Sequence, residues 1–197
     1  MDNRSPKEIR DFPHKMKSRI DLAEYFKARG FKKGAEVGVA DGRYSKILCE
    51  TIPNLELYCI DPWEPYEKCW RGKDYQKNAY EQAKEKLSGY NAELMKMTSI
   101  EGSLEIPDKS LDFVFIDGAH TFDHVITDVV IWSRKVRNRG IVSGHDYCHF
   151  TNSGIVEAVN IYTQIHRIEL NLIQRNQENF KDDRQPCWWF VKRDEHA

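Results

Sequence analysis

Two short strings hold the residue types that handle protons and metal ions: Asp117-Gly-Ala-His120 and Gly144-His145-Asp146-Tyr147. With His124 and His149 they gather four of the chain's seven histidines within thirty residues, beside two aspartates. Imidazole titrates near neutral pH, so a histidine can accept a proton during a reaction, and it is also a common metal ligand. His120 and His124 stand four apart and would share a helix face, but Thr121 follows the first histidine where a zinc peptidase helix needs glutamate. His145, Cys148 and His149 could form a zinc corner, yet no second ligand pair stands at fitting spacing. Asp117 and Asp146 offer hard oxygen ligands that suit Mg²⁺.

A second group of residues is of the kind that holds a ligand rather than transforms it. In Glu36-Val-Gly38-Val-Ala-Asp-Gly42-Arg-Tyr-Ser45, the two glycines let backbone approach a ligand closely, and the helix that follows opens with free N–H groups. The pattern is acid-x-Gly-x-x-x-Gly. It lacks the Gly-x-Gly-x-x-Gly fingerprint of dinucleotide-binding proteins, which speaks against a nicotinamide oxidoreductase. Asp61 follows an apolar run, where an acid can accept from both hydroxyls of a ribose. Its structural use would be a turn, helped by Pro62. Trp63 could pack on an adenine face or sit in the core. Thr98 and Ser99 offer small hydroxyls where the edge of a base could lie.

These residues need a scaffold, and hydrophobic spacing supplies one. Apolar runs predict strands over 35–38, 55–60, 92–97, 111–116, 141–144, 170–173 and 188–192. Between them, helical spacing predicts a helix over 22–29 capped by Asp21 and ended by Gly30. Further helices carry Tyr44, Ile47 and Leu48; Ala79, Ala83 and Leu87; Val125, Val129, Val130 and Val136; and Ile155, Val156, Val159, Tyr162 and Ile165. Strands alternating with helices imply a doubly wound, mostly parallel α/β sheet, and the helix-free last pair adds an antiparallel C-terminal edge hairpin. In such sheets ligands bind beyond the carboxyl ends of the strands, and every candidate above falls just after a predicted strand. The polar connection 175–186 reads as a loop long enough to act as a flap.

Composition bounds the rest. The 197 residues suit one domain, 1–197, with residues 1–19 as an N-terminal extension. Thirty basic residues balance 31 acidic ones, so bulk charge predicts no nucleic-acid partner. Basic residues do gather in the first 33 positions, among them Arg19, Lys27, Arg29, Lys32 and Lys33, and read as a solvated face. Five cysteines without a Cys-x-x-Cys pair fit neither a disulfide framework nor a zinc ribbon. With no signal-peptide pattern and no apolar stretch of membrane-spanning length, a cytoplasmic protein with no membrane partner is expected.

Taken together, four stretches resemble a class I S-adenosylmethionine-dependent methyltransferase, more narrowly the methyltransferase domain 24 family. They are Gly34-Ala-Glu-Val-Gly-Val-Ala-Asp-Gly-Arg-Tyr-Ser45, Tyr58-Cys-Ile-Asp-Pro-Trp63, Asp112-Phe-Val-Phe-Ile-Asp-Gly-Ala-His120 with Asp128 and Trp132, and Gly140-Ile-Val-Ser-Gly-His-Asp-Tyr147. The ending Cys187-Trp-Trp-Phe-Val-Lys192 fits as well. One departure is Arg139 in a place where the family carries the first of two glycines. The resemblance implies a Rossmann-like fold and S-adenosylmethionine as cofactor. Glu36 and Gly38 would hold its methionine end, with Gly42 and Ser45 shaping that turn. Asp61 would take the ribose, Trp63 and Thr98-Ser99 the adenine, and Asp117 would stand at the sulfonium, facing the acceptor.

Methyl transfer is an in-line displacement at an activated carbon, so the protein mainly aligns donor and acceptor. An alcohol acceptor must also lose a proton. His120 could take it, or Asp117 and Asp146 could hold a Mg²⁺ ion that acidifies the hydroxyl, with His145 as base, ligand or orienting partner. The reaction expected is O-methylation of a small molecule such as a sugar or other hydroxylated metabolite. Two rivals remain: a metal-dependent hydrolase built on the histidine cluster, and a non-catalytic nucleotide-binding module. The sequence fixes neither the acceptor nor whether the chain forms a homo-oligomer.

Overall fold

In a computed structural model, residues 16–65, 72–174 and 185–193 are described. The elements in chain order are α1 (Arg19–Ala28), β1 (Lys33–Val37), α2 (Arg43–Thr51), β2 (Glu56–Ile60), α3 (Lys73–Leu87), β3 (Ala92–Met95), α4 (Ser99–Glu105), β4 (Leu111–Ile116), α5 (Phe122–Lys135), β5 (Val136–Gly144), α6 (Ile155–Ile165), β6 (Asn171–Ile173) and β7 (Cys187–Val191). The basic residues before Met16, part of the aromatic stretch after Trp63, and most of the 175–186 connection lie outside the described residues.

Seven strands form one sheet in the order β3-β2-β1-β4-β5-β7-β6. The first five run parallel, while β7 pairs antiparallel with both β5 and β6. This is the doubly wound, mostly parallel sheet expected, with its antiparallel C-terminal edge. Chain order reverses between β1 and β4. Their carboxyl ends therefore form the crevice where such sheets take ligands.

The sequence Leu-Asp-Phe-Val-Phe-Ile of β4 explains why this strand is central. Phe113 and Phe115 point into one apolar layer with Leu22, Phe26 and Leu48, while Val114 and Ile116 point into the other with Val125, Val129 and Trp132. Phe113 stacks on Phe26 with ring centroids 4.3 Å apart. Full burial of such a ring is worth about 2–3 kcal/mol, and few strands sustain it on both faces. Helices α1–α3 thus cover one face of the sheet, and α4–α6 the other.

Three local readings need correction. The cap of α1 is Ser18, whose hydroxyl accepts from the Asp21 N–H, so the helix starts earlier and Met16–Arg19 belong to the fold rather than to an extension. Helix α4 was not expected. Its Ile100 and Leu104 are 56% and 77% exposed and Gly102 is what meets Ile60, so no inward apolar stripe announces it. The readable signal was the capping box of Thr98 and Glu101. Val136, assigned to α5 by its spacing, opens β5 beside Leu111. The last two strands pair antiparallel with each other at the edge, as expected, with β7 inside β6 and against β5. Among the described residues, no helix is long and apolar enough to cross a membrane.

Candidate active site

The crevice is closed at its base by backbone. Gly38, at φ 89°, follows β1 so tightly against β4 that a Cβ there would lie 2.1 Å from the Asp117 carbonyl oxygen. Asp117 N–H in turn donates to the Val37 carbonyl at 2.7 Å. Only glycine combines that dihedral with that approach. Gly42, at φ 76°, turns the chain into α2 as its N-cap.

Glu36 sits on β1 with its carboxyl buried, accepting a short hydrogen bond from the buried Ser45 hydroxyl. Burial pushes its pKa up to about 8; the Ser45 bond opposes the rise and the Asp117 charge adds to it.

Asp61 ends β2 with both carboxylate oxygens directed at backbone. Oδ2 accepts from the Val39 and Ala40 N–H groups at 3.0 Å each, and Oδ1 from Trp63 N–H at 2.7 Å. A carboxylate offers about four lone-pair sites, so room for a ribose hydroxyl exists only beside or in exchange for these bonds. Trp63 lies only 2% exposed, tilted against Tyr80, with its indole N–H donating to the Ala40 carbonyl at 2.8 Å. It braces the loop after β1 and, as it stands, presents no open face to an adenine. Thr98 spends its hydroxyl on the α4 cap. Ser99 donates to Asp128 and accepts from the Trp132 indole N–H.

The two His–Asp pairs meet across the ends of β4 and β5. His120 Nε2 lies 3.2 Å from Asp146 Oδ2 and 4.0 Å from Asp117 Oδ1, and His145 Nδ1 lies 3.1 Å from Asp146 Oδ1 and 3.8 Å from Asp117 Oδ1. Asp146 reaches this position from a left-handed backbone, φ 56°, which aspartate tolerates better than most residues. Burial works against a charged His120, but the carboxylates of Asp117 and Asp146 outweigh it and raise its pKa to about 9. Burial opposes ionisation of Asp146 too, and there His120 and His145 prevail, holding it well below the usual carboxylate range. Asp117, His120, Val125, His145, Ile155 and Trp188 line a small cleft at this point.

One ligand atom each from Asp117, His120 and Asp146 falls within 4.8 Å of the others, a span that a single cation could bridge. His120 Nε2 is enclosed and, among the described residues, has no hydrogen bond in proper alignment, which leaves it open to a cation. The residues thus fit a divalent ion.

Two histidines of the four stay outside the cluster. His124 bonds the Thr121 hydroxyl on the exposed side of α5, and His149 is 73% exposed beside Glu157. Cys148 bonds Gln185 and His149 pairs with Glu157, and among the described residues His145, Cys148 and His149 are not brought together as a ligand set. Sequence reasoning passed over Arg19, which it placed on a solvated face. Its side chain is only 16% exposed, with Nη1 3.7 Å from Asp117 Oδ2. No spacing rule links residues so far apart in the chain.

Residues 35–147 match the model of the methyltransferase domain 24 family, a methyltransferase domain. The chain belongs to this family of class I S-adenosylmethionine-dependent methyltransferases. It is therefore an enzyme, which sets aside both the hydrolase and the non-catalytic module. No curated protein matches the chain. Among solved structures, the fold is similar to an O-methyltransferase from Bacillus cereus in complex with S-adenosylhomocysteine, with TM-score 0.65, 13% identity, and coverage of 96% of this chain and 83% of that one. It is also similar to the O-methyltransferase TomG from Streptomyces achromogenes, involved in tomaymycin synthesis and solved with S-adenosylmethionine. There the TM-score is 0.64 and identity 16%, covering 88% of this chain and 79% of that one. An rRNA methylase from Streptococcus thermophilus shares the fold at TM-score 0.61 and 14% identity, covering 88% of this chain and 96% of that one.

Proposed function

We propose that this methyltransferase transfers the methyl group to a hydroxyl of a small molecule, such as a sugar or another hydroxylated metabolite. The observation that carries the reading is the convergence of His120, His145, Asp117 and Asp146 at the ends of β4 and β5, beside the crevice. Glu36, Gly38, Gly42, Ser45, Asp61 and Asp117 form the cofactor side in this reading, with three acidic side chains suited to a cationic sulfonium, an ammonium and a ribose. Trp63, Thr98 and Ser99 support the loops around the adenine rather than offering it free groups. The balanced surface charge, net −1, favours a small acceptor over nucleic acid.

His120 accepts the acceptor's proton. To do so its ring must first be neutral: the carboxylates of Asp117 and Asp146, which raise its pKa to about 9, make that the minor form at neutral pH, and the ring gives up its proton to solvent before it takes the acceptor's. His145, bonded to Asp146, fixes the carboxylate against which His120 rests. Phe150 meets the His120 ring edge-on at 5.4 Å between centroids and forms the rim of the acceptor side.

A second reading is favoured by the 4.8 Å grouping of Asp117, His120 and Asp146. These residues would hold a divalent ion, which supplies Lewis acidity that lowers the pKa of an acceptor hydroxyl. The two carboxylates alone suit Mg²⁺; with an imidazole donor the set leans towards Mn²⁺, Co²⁺ or Zn²⁺. His120 is then a ligand and not the base.

The test is a methyl-transfer assay with labelled S-adenosylmethionine against panels of sugars, catechols and other hydroxylated metabolites, with ribosomal RNA alongside. Methylation of a small-molecule hydroxyl supports the proposal, and transfer to RNA alone overturns it.

A further inference from the structure

We propose that Arg19 binds the α-carboxylate of the cofactor's methionine portion, so that the start of α1 forms one wall of the cofactor site. The inference rests on the S-adenosylmethionine reading and adds a recognition residue to it.

The basic residues near the start of the chain differ in what surrounds them. Lys33 pairs with Glu56, the Lys32 ammonium donates to the Pro53 carbonyl, and Arg29 donates to the Arg139 carbonyl, all away from the crevice. Arg19 instead turns inward. Its guanidinium lies 5.1 Å over the Tyr44 ring and 3.7 Å from Asp117 Oδ2. Tyr44 secures this arrangement by donating from its hydroxyl to the Arg19 carbonyl at 2.9 Å, which ties the first turn of α1 to the first turn of α2. Glu36 is close enough for the Arg19 charge to restrain the rise of its pKa.

The cofactor brings two positive groups and one negative group to this end of the crevice. Glu36 and Asp117 are suited to the positive ones, and neither can accept a carboxylate. An α-amino acid carries its ammonium and carboxylate on one carbon, so a matching site needs an anion and a cation side by side. Glu36, at the methionine end, and Arg19 provide that doublet, while Asp117 stands at the sulfonium. A guanidinium held over an aromatic ring also keeps its planar fork ready for the two parallel N–H···O bonds that a carboxylate accepts.

Isothermal titration of the full chain with S-adenosylhomocysteine and with its decarboxylated analogue tests this. Arg19→Ala is expected to weaken S-adenosylhomocysteine binding by roughly 10–100-fold, the range for a lost charge-assisted hydrogen bond, while affinity for the analogue stays within about twofold. Arg19→Lys, which keeps the charge but not the fork, should fall between, and circular dichroism melts show whether either variant is folded. Unchanged S-adenosylhomocysteine affinity overturns the assignment. So does an equal loss for both ligands, which would make Arg19 a structural support for Tyr44 and Asp117. A wild-type chain that binds neither ligand removes the underlying cofactor reading and the proposal with it.

Discussion

His120 Nε2 stands 3.2 Å from Asp146 Oδ2, so residues that leave two different strands come close enough to share one proton or one ion. If the shared particle is a proton, replacing His120 by Ala or Gln should lower turnover by roughly 10²–10⁴-fold with cofactor affinity nearly intact. His124, exposed on α5, is the control, and its replacement should change little. A normal rate for the His120 variant, with a dead His145 variant, would move the base to β5.

If the shared particle is a metal ion, a chelator should abolish activity and leave S-adenosylhomocysteine binding unchanged. Binding of Mn²⁺ or Co²⁺, followed by calorimetry or by the visible spectrum of cobalt, should be tighter than that of Mg²⁺ and should disappear in Asp146→Asn. Full activity in the chelator would leave Asp117 and Asp146 as partners of His120 alone.

Asp61 carries two duties that the structure makes separable. Asp61→Ala removes acceptors from Val39, Ala40 and Trp63 N–H, so a stability loss of about 1–3 kcal/mol is expected in denaturant titrations. If the carboxylate also holds the ribose, S-adenosylhomocysteine binding measured well below the melting temperature should weaken by roughly tenfold or more. A destabilised variant with unaltered affinity would leave Asp61 as a brace of the loop only.

Asp128 gives a pH dependence with a definite sign. Burial raises its pKa from 3.8 to about 6, despite the opposing Ser99 bond and the His124 charge. The native state therefore favours the protonated acid. That contribution to stability is complete below about pH 4 and is lost as pH rises through about 6, at a cost of roughly 3 kcal/mol. Asp128→Asn mimics the protonated form. It should be more stable than the wild type at pH 7 and show a flatter stability profile between pH 4 and 6, read by thermal melts across that range.

Much of this molecule was legible without coordinates. The two-sided apolar run of β4 could only be a central strand, and the alternation of strands and helices set a doubly wound sheet. Because such a sheet binds ligands at its strand ends, the loops bearing Gly38, Asp61, Asp117 and Asp146 could be picked out as candidates by position alone. Helix α4 escaped because its apolar side chains face outward, and the placement of β7 inside β6 escaped because strand order is not encoded in the spacing of either strand.

Side-chain destinations divided in the same way. The sequence determined that His120 leaves β4 and His145 leaves β5; tertiary packing brought them to one carboxylate pair and sent His124 and His149 to the surface. The chain alone marked Trp63 as a residue for an adenine face or a core, and the fold chose the core. Arg19 looked like any other basic residue of a solvated helix. Its approach to Asp117, 98 positions further along, exists only because α1 packs on α2 across the end of β4. Periodicity and turn chemistry are local and can be read residue by residue. The direction a side chain takes depends on neighbours that sequence spacing does not specify, and that part the tertiary structure decided.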